Sequence, residues 1–398
     1  MGIRVPEEES VAERGARWVV PPRLRTVEEG GDDRHASWLE LFFDLVFVVA
    51  IAQLSHELVL DHSAAGFLRF AGLFVPVWVA WQGYAFYADR FDTDDVVFRL
   101  SYFAGMVAIA TLAVLVPDVA HGESTAAFAM SYIALRSIVV ALYVRAWLAV
   151  PEARVLVGFY GAGYGLSVLV WIGSLGVETP LRYVLWGVGL AIDLSLPPLA
   201  TRLHRRVPTT AGHAVERWGL FTIIVLGESV VLVALGTAGS EWDSRSVAAA
   251  LLGAVAVTGI WWLYFDRQAS IVLKGGTPAV VVYSYAHLPL LMGLAAASAG
   301  LALVIEEAGR ARLELGPAVS YLGGVALFLV SLVVMRVATI TRVRRLGVGL
   351  KLGTVGALGV VLALHDVLPT LAVAAAPGVF LGVLVVLERV LFASRSVA

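Results

Sequence analysis

The chain has 398 residues, 59% of them hydrophobic and 15% charged, and its formal net charge at pH 7 is −2. Soluble proteins carry about 25% charged residues, and a mean hydropathy of +0.83 lies far outside their range. The near-neutral charge gives no indication of nucleic-acid binding, and the absence of cysteine excludes disulfides, thiolate nucleophiles and Cys-ligated metals. We therefore expect an all-α, polytopic integral membrane protein.

The first 37 residues are polar and charged, and they lack the short apolar region of a signal peptide. We expect residues 1–37 to form a cytoplasmic arm. Twelve apolar stretches follow, each near the 20 or so residues that a helix needs to cross a bilayer. The predicted spans are 39–60, 66–88, 97–116, 124–149, 155–175, 181–199, 217–237, 246–265, 278–304, 318–338, 349–365 and 369–392.

The first span opens with two carboxylates, Glu40 and Asp44, which lie one helical turn apart and therefore on one face. The helix dipole favours negative charge there, and both side chains can meet Arg90 or Arg99. We interpret these groups as a charge network at the cytoplasmic helix ends, which acts either as a structural clamp or as a gate. The network comprises Glu40, Asp44, Asp89, Arg90, Arg99, Glu216, Arg217, Asp266 and Arg267, with Glu216 expected to meet Arg267.

The loop after the second span, "FDTDDVVF" (91–98), is acidic. Clustered Asp residues can bind Mg²⁺, but an acidic loop beside arginines is more typical of a solvated surface. We predict no metal site.

Other polar residues lie deeper in the spans. Glu228 follows Arg217 by eleven residues, about 16 Å along a helix axis, which places it near the bilayer midplane. Such groups cost several kcal/mol unless they are paired, hydrated or neutralised. The alternatives are a structural ion pair between Glu228 and Arg136 and a polar cavity that holds a substrate or a proton. The predicted substrate- or proton-binding residues are Glu228, Arg136, His287, Asp193 and Gln53.

The distribution of positive charge predicts the orientation. The large majority of the 29 Lys and Arg residues fall in the N-terminal arm or on the side reached after even-numbered spans. By the positive-inside rule both termini are then cytoplasmic, which requires an even number of spans.

The two halves of the chain share weak matches in the same order. Glu40 and Glu216 open the first and seventh spans, and Asp89-Arg90 and Asp266-Arg267 close the second and eighth. We predict two six-helix halves, residues 38–206 and 207–398. Because six is even, the halves would be related by rotation about the membrane normal.

Four segments resemble the bacterial low temperature requirement A family: "LELFFDLVFVVAIAQLS", "HAVERWGLFTIIVLGESVV", "WWLYFDR" and "YAHLPLLMGLAAASAG". The resemblance extends from about residue 34 to the C-terminus. It implies a multi-spanning protein of the bacterial plasma membrane, but the family is named for a growth phenotype and implies no molecular activity. The motif positions are Glu40, Phe42, Phe43, Asp44, Glu216, Gly227, Glu228, Ser229 and His287.

Three functions remain open. The first is a secondary transporter of a small solute that uses a buried carboxylate, arginine and histidine. The second is a membrane-embedded enzyme acting on a lipid-like substrate, with Asp44, Asp193, Glu228 and His287 as acid–base candidates. The third is a structural or sensory protein. No GxSxG, Walker, HExxH or CxxC motif is present. We expect the lipid bilayer and a small molecule as partners, and the sequence does not identify a cofactor or an oligomeric state.

Overall fold

The structure, a computed structural model, describes residues 18–25, 36–204, 207, 211–238, 243–266, 276–339 and 345–393. In the first part of the chain lie β1 (Arg23–Leu24), α1 (Trp38–Leu60), α2 (Ala64–Arg90), β2 (Phe91–Asp92), α3 (Val96–Val114), α4 (Val116–Ala120), α5 (Thr125–Ala149), α6 (Arg154–Ser174), α7 (Leu181–Leu199) and α8 (Thr201–His204). The second part contains α9 (Ala211–Ala238), α10 (Ser244–Phe265), α11 (Gly276–Glu306), α12 (Leu315–Ala318), a π-helical turn (Val319–Gly323), α13 (Gly324–Thr339), α14 (Arg345–Ala363) and α15 (Thr370–Ala393).

Eleven of the described helices are long and apolar enough to cross a membrane, which confirms the all-α, polytopic class. The sixth predicted span, α7, is not among them. It has 19 residues, about 28 Å, but Arg182, Asp193 and two consecutive prolines lower its hydropathy. That α7 also crosses the bilayer remains a prediction.

Both halves of the chain pack their long helices in the same order. Among the six long helices from α1 to α7, the first contacts the second and third, and the third contacts the fourth. The fourth then contacts the fifth, and the fifth contacts the sixth. The long helices from α9 to α15 repeat these contacts, and in both sets the second helix contacts the sixth. This shared order is what a repeat would produce, and the repeat remains a prediction.

Helix α11 lies at the centre of the molecule. It contacts α9, α10, α13 and α15 within its own half and α1, α2, α7 and α8 in the other half. Its contact with α13 is close because glycines face each other: a Cβ on Gly293 would lie 2.7 Å from the carbonyl oxygen of Gly324. Small residues allow membrane helices to approach at this distance.

The N-terminal segment is attached to the same end of the helices at which α1 begins. Strand β1 pairs antiparallel with β2. The Val20 main-chain N–H donates to Asp95 Oδ2 (2.9 Å), and Arg145 donates to the Val20 carbonyl oxygen (2.6 Å). Burial alone would raise the pKa of Asp95, but hydrogen bonds from Arg145 and from main-chain N–H groups outweigh it and lower the pKa.

Candidate functional site

The carboxylates that open α1 contact an arginine from the other half of the chain. Ser37 caps α1 by accepting from the Glu40 main-chain N–H (3.3 Å), and Glu40 Oε2 accepts in return from the Ser37 N–H (3.4 Å). Arg217, in α9, lies with Nη1 3.3 Å from Glu40 Oε2 and Nη2 3.1 Å from Asp44 Oδ1. The face shared by Glu40 and Asp44 therefore bridges the two halves.

A tryptophan completes this site. Trp81, in α2, donates from Nε1 to Asp44 Oδ1 at 2.6 Å, so this oxygen accepts from both Trp81 and Arg217. Glu40, Asp44, Trp81 and Arg217 form what we call the bridging cluster, and all four side chains are buried. The Nε of Arg217 has no hydrogen-bond partner among the described residues. The buried guanidinium is thus charge-paired but not saturated with acceptors.

Aromatic rings extend from the bridging cluster between the halves. Trp81 stacks on Phe221 with ring centroids 4.2 Å apart and meets Trp218 edge-on at 4.5 Å. Trp218 in turn lies 4.6 Å from the ring of His287. The arginine therefore lies in an apolar surrounding, in which an unpaired charge would be expensive.

A second buried arginine lies deeper and pairs within one half. Arg136 is near the middle of α5, and its Nη2 lies 2.8 Å from Asp193 Oδ1 in α7, with both side chains 1% exposed. Tyr132 donates to the other Asp193 oxygen (3.2 Å), and the Tyr164 ring lies 4.2 Å from Arg136 Cζ. We call Tyr132, Arg136, Tyr164 and Asp193 the midspan cluster. All its members belong to the first six long helices.

The lack of a side chain at Gly83 makes room for Arg136. A Cβ at this position would lie 2.5 Å from Arg136 Nη1. The guanidinium reaches past this glycine to the Val79 carbonyl oxygen, at 3.4 Å from Nη1. Arg136 is thus held by α2, α5, α6 and α7.

The prediction of an ion pair between Glu228 and Arg136 is wrong, because Arg136 pairs with Asp193. Glu228 is half-buried on α9, and it makes no ion pair or hydrogen bond with any described residue. The next residue, Ser229, is buried and accepts a hydrogen bond from Ser298 of α11. Gln53 is also half-buried.

His287 is fully buried, and both of its ring nitrogens have hydrogen-bond partners. Its Nδ1 lies 2.8 Å from the Tyr283 carbonyl oxygen and its Nε2 lies 2.8 Å from the Tyr264 hydroxyl. A carbonyl oxygen accepts only, so Nδ1 carries a proton, and in the neutral imidazole Nε2 then accepts from Tyr264. Within the described parts of the chain, no hydrogen bond joins Asp44, Asp193, Glu228 and His287 to one another.

The other predicted network residues form separate contacts. Arg90 donates to His204 Nδ1 (2.8 Å) and to the Val207 carbonyl oxygen (3.4 Å), and Arg99 pairs on the surface with Asp94 (2.7 Å). The prediction that Arg90 or Arg99 pairs with Glu40 and Asp44 is therefore wrong. Arg90 is engaged at α8 and Arg99 at the start of α3. Asp266 pairs with Arg389 at 3.0 Å. Asp89 is buried and Glu216 half-buried, while Arg267 lies outside the described residues.

Sequence reasoning missed one buried ion pair. Lys351 and Glu388 fall within the last two predicted spans but were not singled out; Lys351 of α14 pairs with Glu388 of α15, and both side chains are almost fully buried. Their position within apolar stretches was a usable signal, since ionisable residues in spans are almost always paired. Trp81 was also missed, because nothing in a sequence distinguishes a tryptophan that binds a carboxylate from one that packs.

These features define a polytopic α-helical membrane protein with two separate buried arginine–carboxylate sites. The chain belongs to the bacterial low temperature requirement A protein family, whose family model matches residues 35–388. Uncharacterized protein RA0937 of Rhizobium meliloti (strain 1021) is 32% identical over 314 residues, which are 73% of this chain and 72% of that protein.

Proposed function

We propose that this protein is a secondary transporter of a small solute in the bacterial plasma membrane, with both termini cytoplasmic. The bridging cluster would control the relative motion of the two six-helix halves, residues 38–206 and 207–398. The observation that carries this proposal is the buried contact of Arg217, in the second half, with Glu40 and Asp44, in the first half. Many transporters alternate by rocking one repeat against the other.

A charge pair between moving bodies must break when they separate. Breaking a buried pair leaves an uncompensated charge, which costs about 3–5 kcal/mol. Water, a proton or a bound solute can supply that compensation, so the opening of the halves becomes dependent on one of them. Two carboxylates on one guanidinium leave a net charge of −1 when both are ionised, and a proton on either of them balances the cluster.

The enzyme alternative receives less support. Asp44, Asp193, Glu228 and His287 would have to converge on one cavity to act as acid and base on one substrate. Each instead lies in a different setting: Asp44 on Arg217, Asp193 on Arg136, His287 on Tyr264, and Glu228 alone among the described residues.

The absence of cysteine allows a test that does not require the solute to be known. Ala85 is buried one helical turn beyond Trp81, on the face of α2 that meets α9. A transporter should expose Ala85→Cys to a membrane-impermeant maleimide when a proton gradient or a membrane potential is imposed on proteoliposomes. The matched control is Ala129→Cys, which is equally buried in α5 and should stay unreactive.

Asp44→Asn supplies a second arm of this test. It removes one of the two carboxylates that hold Arg217 while leaving Glu40 in place, so the labelling of Ala85→Cys should become faster even without a gradient. If Ala85→Cys is as inert as Ala129→Cys under every gradient, and no solute is taken up in a proteoliposome screen, the transport proposal is wrong.

A further inference from the structure

A cavity of about 570 Å³ lies at the end of the helices opposite the bridging cluster. Glu40 is in the first turn of α1, whereas the cavity begins at Leu60, the last residue of that helix. We call it the far-end cavity. It lies between the α1–α2 connection and the start of α12, so both halves of the chain line it. Cavities of roughly 300–1,000 Å³ are typical of small-molecule sites.

The lining combines an apolar wall with an acidic edge. The wall is formed by Leu60, Phe67, Leu315 and Val319. The edge carries the carboxylates of Asp61 and Glu314, the imidazole of His62 and the hydroxyls of Ser63 and Ser320. No Lys or Arg lies among the described lining residues. This combination suits a ligand that carries an apolar group and a positive charge.

Both carboxylates are held in place. Asp61 Oδ1 accepts from the Ser63 main-chain N–H (3.0 Å), and hydrogen bonds from Ser63 lower the pKa of Asp61, which keeps it ionised at neutral pH. Arg69 pairs with Asp61, and Arg310 pairs with Glu314 (2.5 Å). These arginines lie outside the cavity lining, so a cation inside the cavity would share each carboxylate with an exposed arginine. His62 Nε2 lies 4.0 Å from Glu314 Oε2 and connects the two halves.

The cavity adjoins an irregular helical turn. Val319 and Ser320 belong to the π-helical turn, and single π turns in otherwise α-helical segments occur frequently at functional sites. Gly316 lies directly against the first half, because a Cβ there would be 2.3 Å from His62 Cδ2. The cavity edge is therefore a direct junction between the two halves.

We propose that the far-end cavity is the solute site of this protein and that it binds a small organic cation bearing an apolar group. This inference rests on the proposed transport function. The halves are joined by the bridging cluster at one end and leave a cavity between them at the other.

The test uses Ser63→Cys, a cavity residue in an otherwise cysteine-free chain. Benzyltrimethylammonium, a small cation with an aromatic ring, should slow maleimide labelling of this cysteine in the purified full-length protein. Its uncharged isostere, neopentylbenzene, should slow it far less. Ser124→Cys is the matched control, because Ser124 is exposed and does not line the cavity. Its labelling should respond to neither compound.

A second pair of variants tests the acidic edge. Glu314→Gln in the Ser63→Cys background should raise the cation concentration needed for half protection about fivefold, the effect expected for one solvent-exposed charge. Glu123→Gln, an exposed carboxylate that does not line the cavity, should leave it unchanged.

The outcomes separate this inference from the transport proposal. Equal protection by the cation and its isostere, or no protection by either, overturns the cation site. If Ala85→Cys still responds to gradients in that case, transport stands and the solute binds elsewhere. Protection by the cation, with no response of Ala85→Cys to any gradient and no solute uptake in the proteoliposome screen, supports a binding site and removes the transport function.

Discussion

Arg136 and Arg217 have the same side chain and the same burial, and both are paired with buried carboxylates. They differ in where their partners come from. Arg136 is held by Asp193, Tyr164 and the Val79 carbonyl oxygen, all within the first six long helices. Arg217 reaches across to the other half of the chain. Burial and charge alone therefore do not distinguish a structural ion pair from one that can act in a conformational change.

The distinction follows from rigid-body mechanics. Partners that belong to one body move together, so their pair stabilises that body in every state. Partners on two bodies stabilise only the state in which the bodies meet, and their contribution becomes an energy difference between states. The predictions below test whether the midspan cluster is structural and whether the bridging cluster depends on the contacts described.

The largest effect is expected for Arg136→Leu. This change leaves Asp193 buried without its cation, which should lower the stability by about 3–5 kcal/mol. The measurement is the thermal unfolding of detergent-purified protein, together with the yield of monodisperse material. The double variant Arg136→Leu/Asp193→Leu should recover much of the loss, since an apolar pair replaces the ion pair. A single variant as stable as the parent would contradict a structural role.

Trp81→Phe should have the next largest effect. It keeps an aromatic ring against Phe221 but removes the N–H that donates to Asp44, and hydrogen bonds to charged groups contribute about 1.5–3 kcal/mol. Trp78→Phe is the matched control, because Trp78 is equally buried but its Nε1 has no hydrogen-bond partner in the part of the chain that the structure describes. Equal losses of thermal stability in the two variants would show that the Asp44 contact contributes nothing.

A pH-dependent effect is expected at His204, outside the spans. Burial, and then the charge of Arg90, lower the pKa of His204 to about 3 from an ordinary value of 6.5. The unfolded chain therefore takes up the proton first, so this stabilisation is complete above pH 6.5 and is lost as the pH falls toward 3. At pH 5 the loss amounts to about 2 kcal/mol.

The measurement is the melting temperature at pH 7 and pH 5. His204→Gln should remove this part of the pH dependence, whereas His121→Gln, in an exposed loop, should retain it. If the melting temperatures of His204→Gln and of the parent change equally with pH, the pH dependence does not come from His204.

The smallest effect on stability is expected for Glu228→Gln. Glu228 shares α9 with Arg217, but it has no ion pair to lose among the described residues. The substitution removes a carboxylate from a membrane helix, where charge is costly, so the melting temperature should stay the same or rise. A clear fall would show that Glu228 has a partner, such as a second copy of the chain or a bound cation.

Element boundaries were largely predictable. The first span was expected at 39–60 and α1 covers Trp38–Leu60, while the last was expected at 369–392 and α15 covers Thr370–Ala393. Hydropathy identifies such segments because the requirement to cross about 30 Å of hydrocarbon acts on each helix separately. The placement of Glu40 and Asp44 on one face was also correct, since helical periodicity is local.

Pairings between helices were not predictable in the same way. Asp44 and Arg217 are 173 positions apart, and the expected partners Arg90 and Arg99 were chosen only because they lie in nearby loops. Glu228 and Arg136 were matched on equal depth, but depth does not reveal which face of each helix points inward. Asp193 is the residue that pairs with Arg136, because α7 packs against α2 and α6, which also contact Arg136.

The sequence by itself determined the class of protein, the approximate helix limits and the family, because composition and hydropathy are properties of short segments. Only the tertiary structure decided which buried charges are partners, that one arginine stays within its half while the other bridges two, and that a cavity remains at the far end. The physical reason is that a buried charge accepts any oppositely charged group that packing brings within about 4 Å, and packing depends on every helix at once.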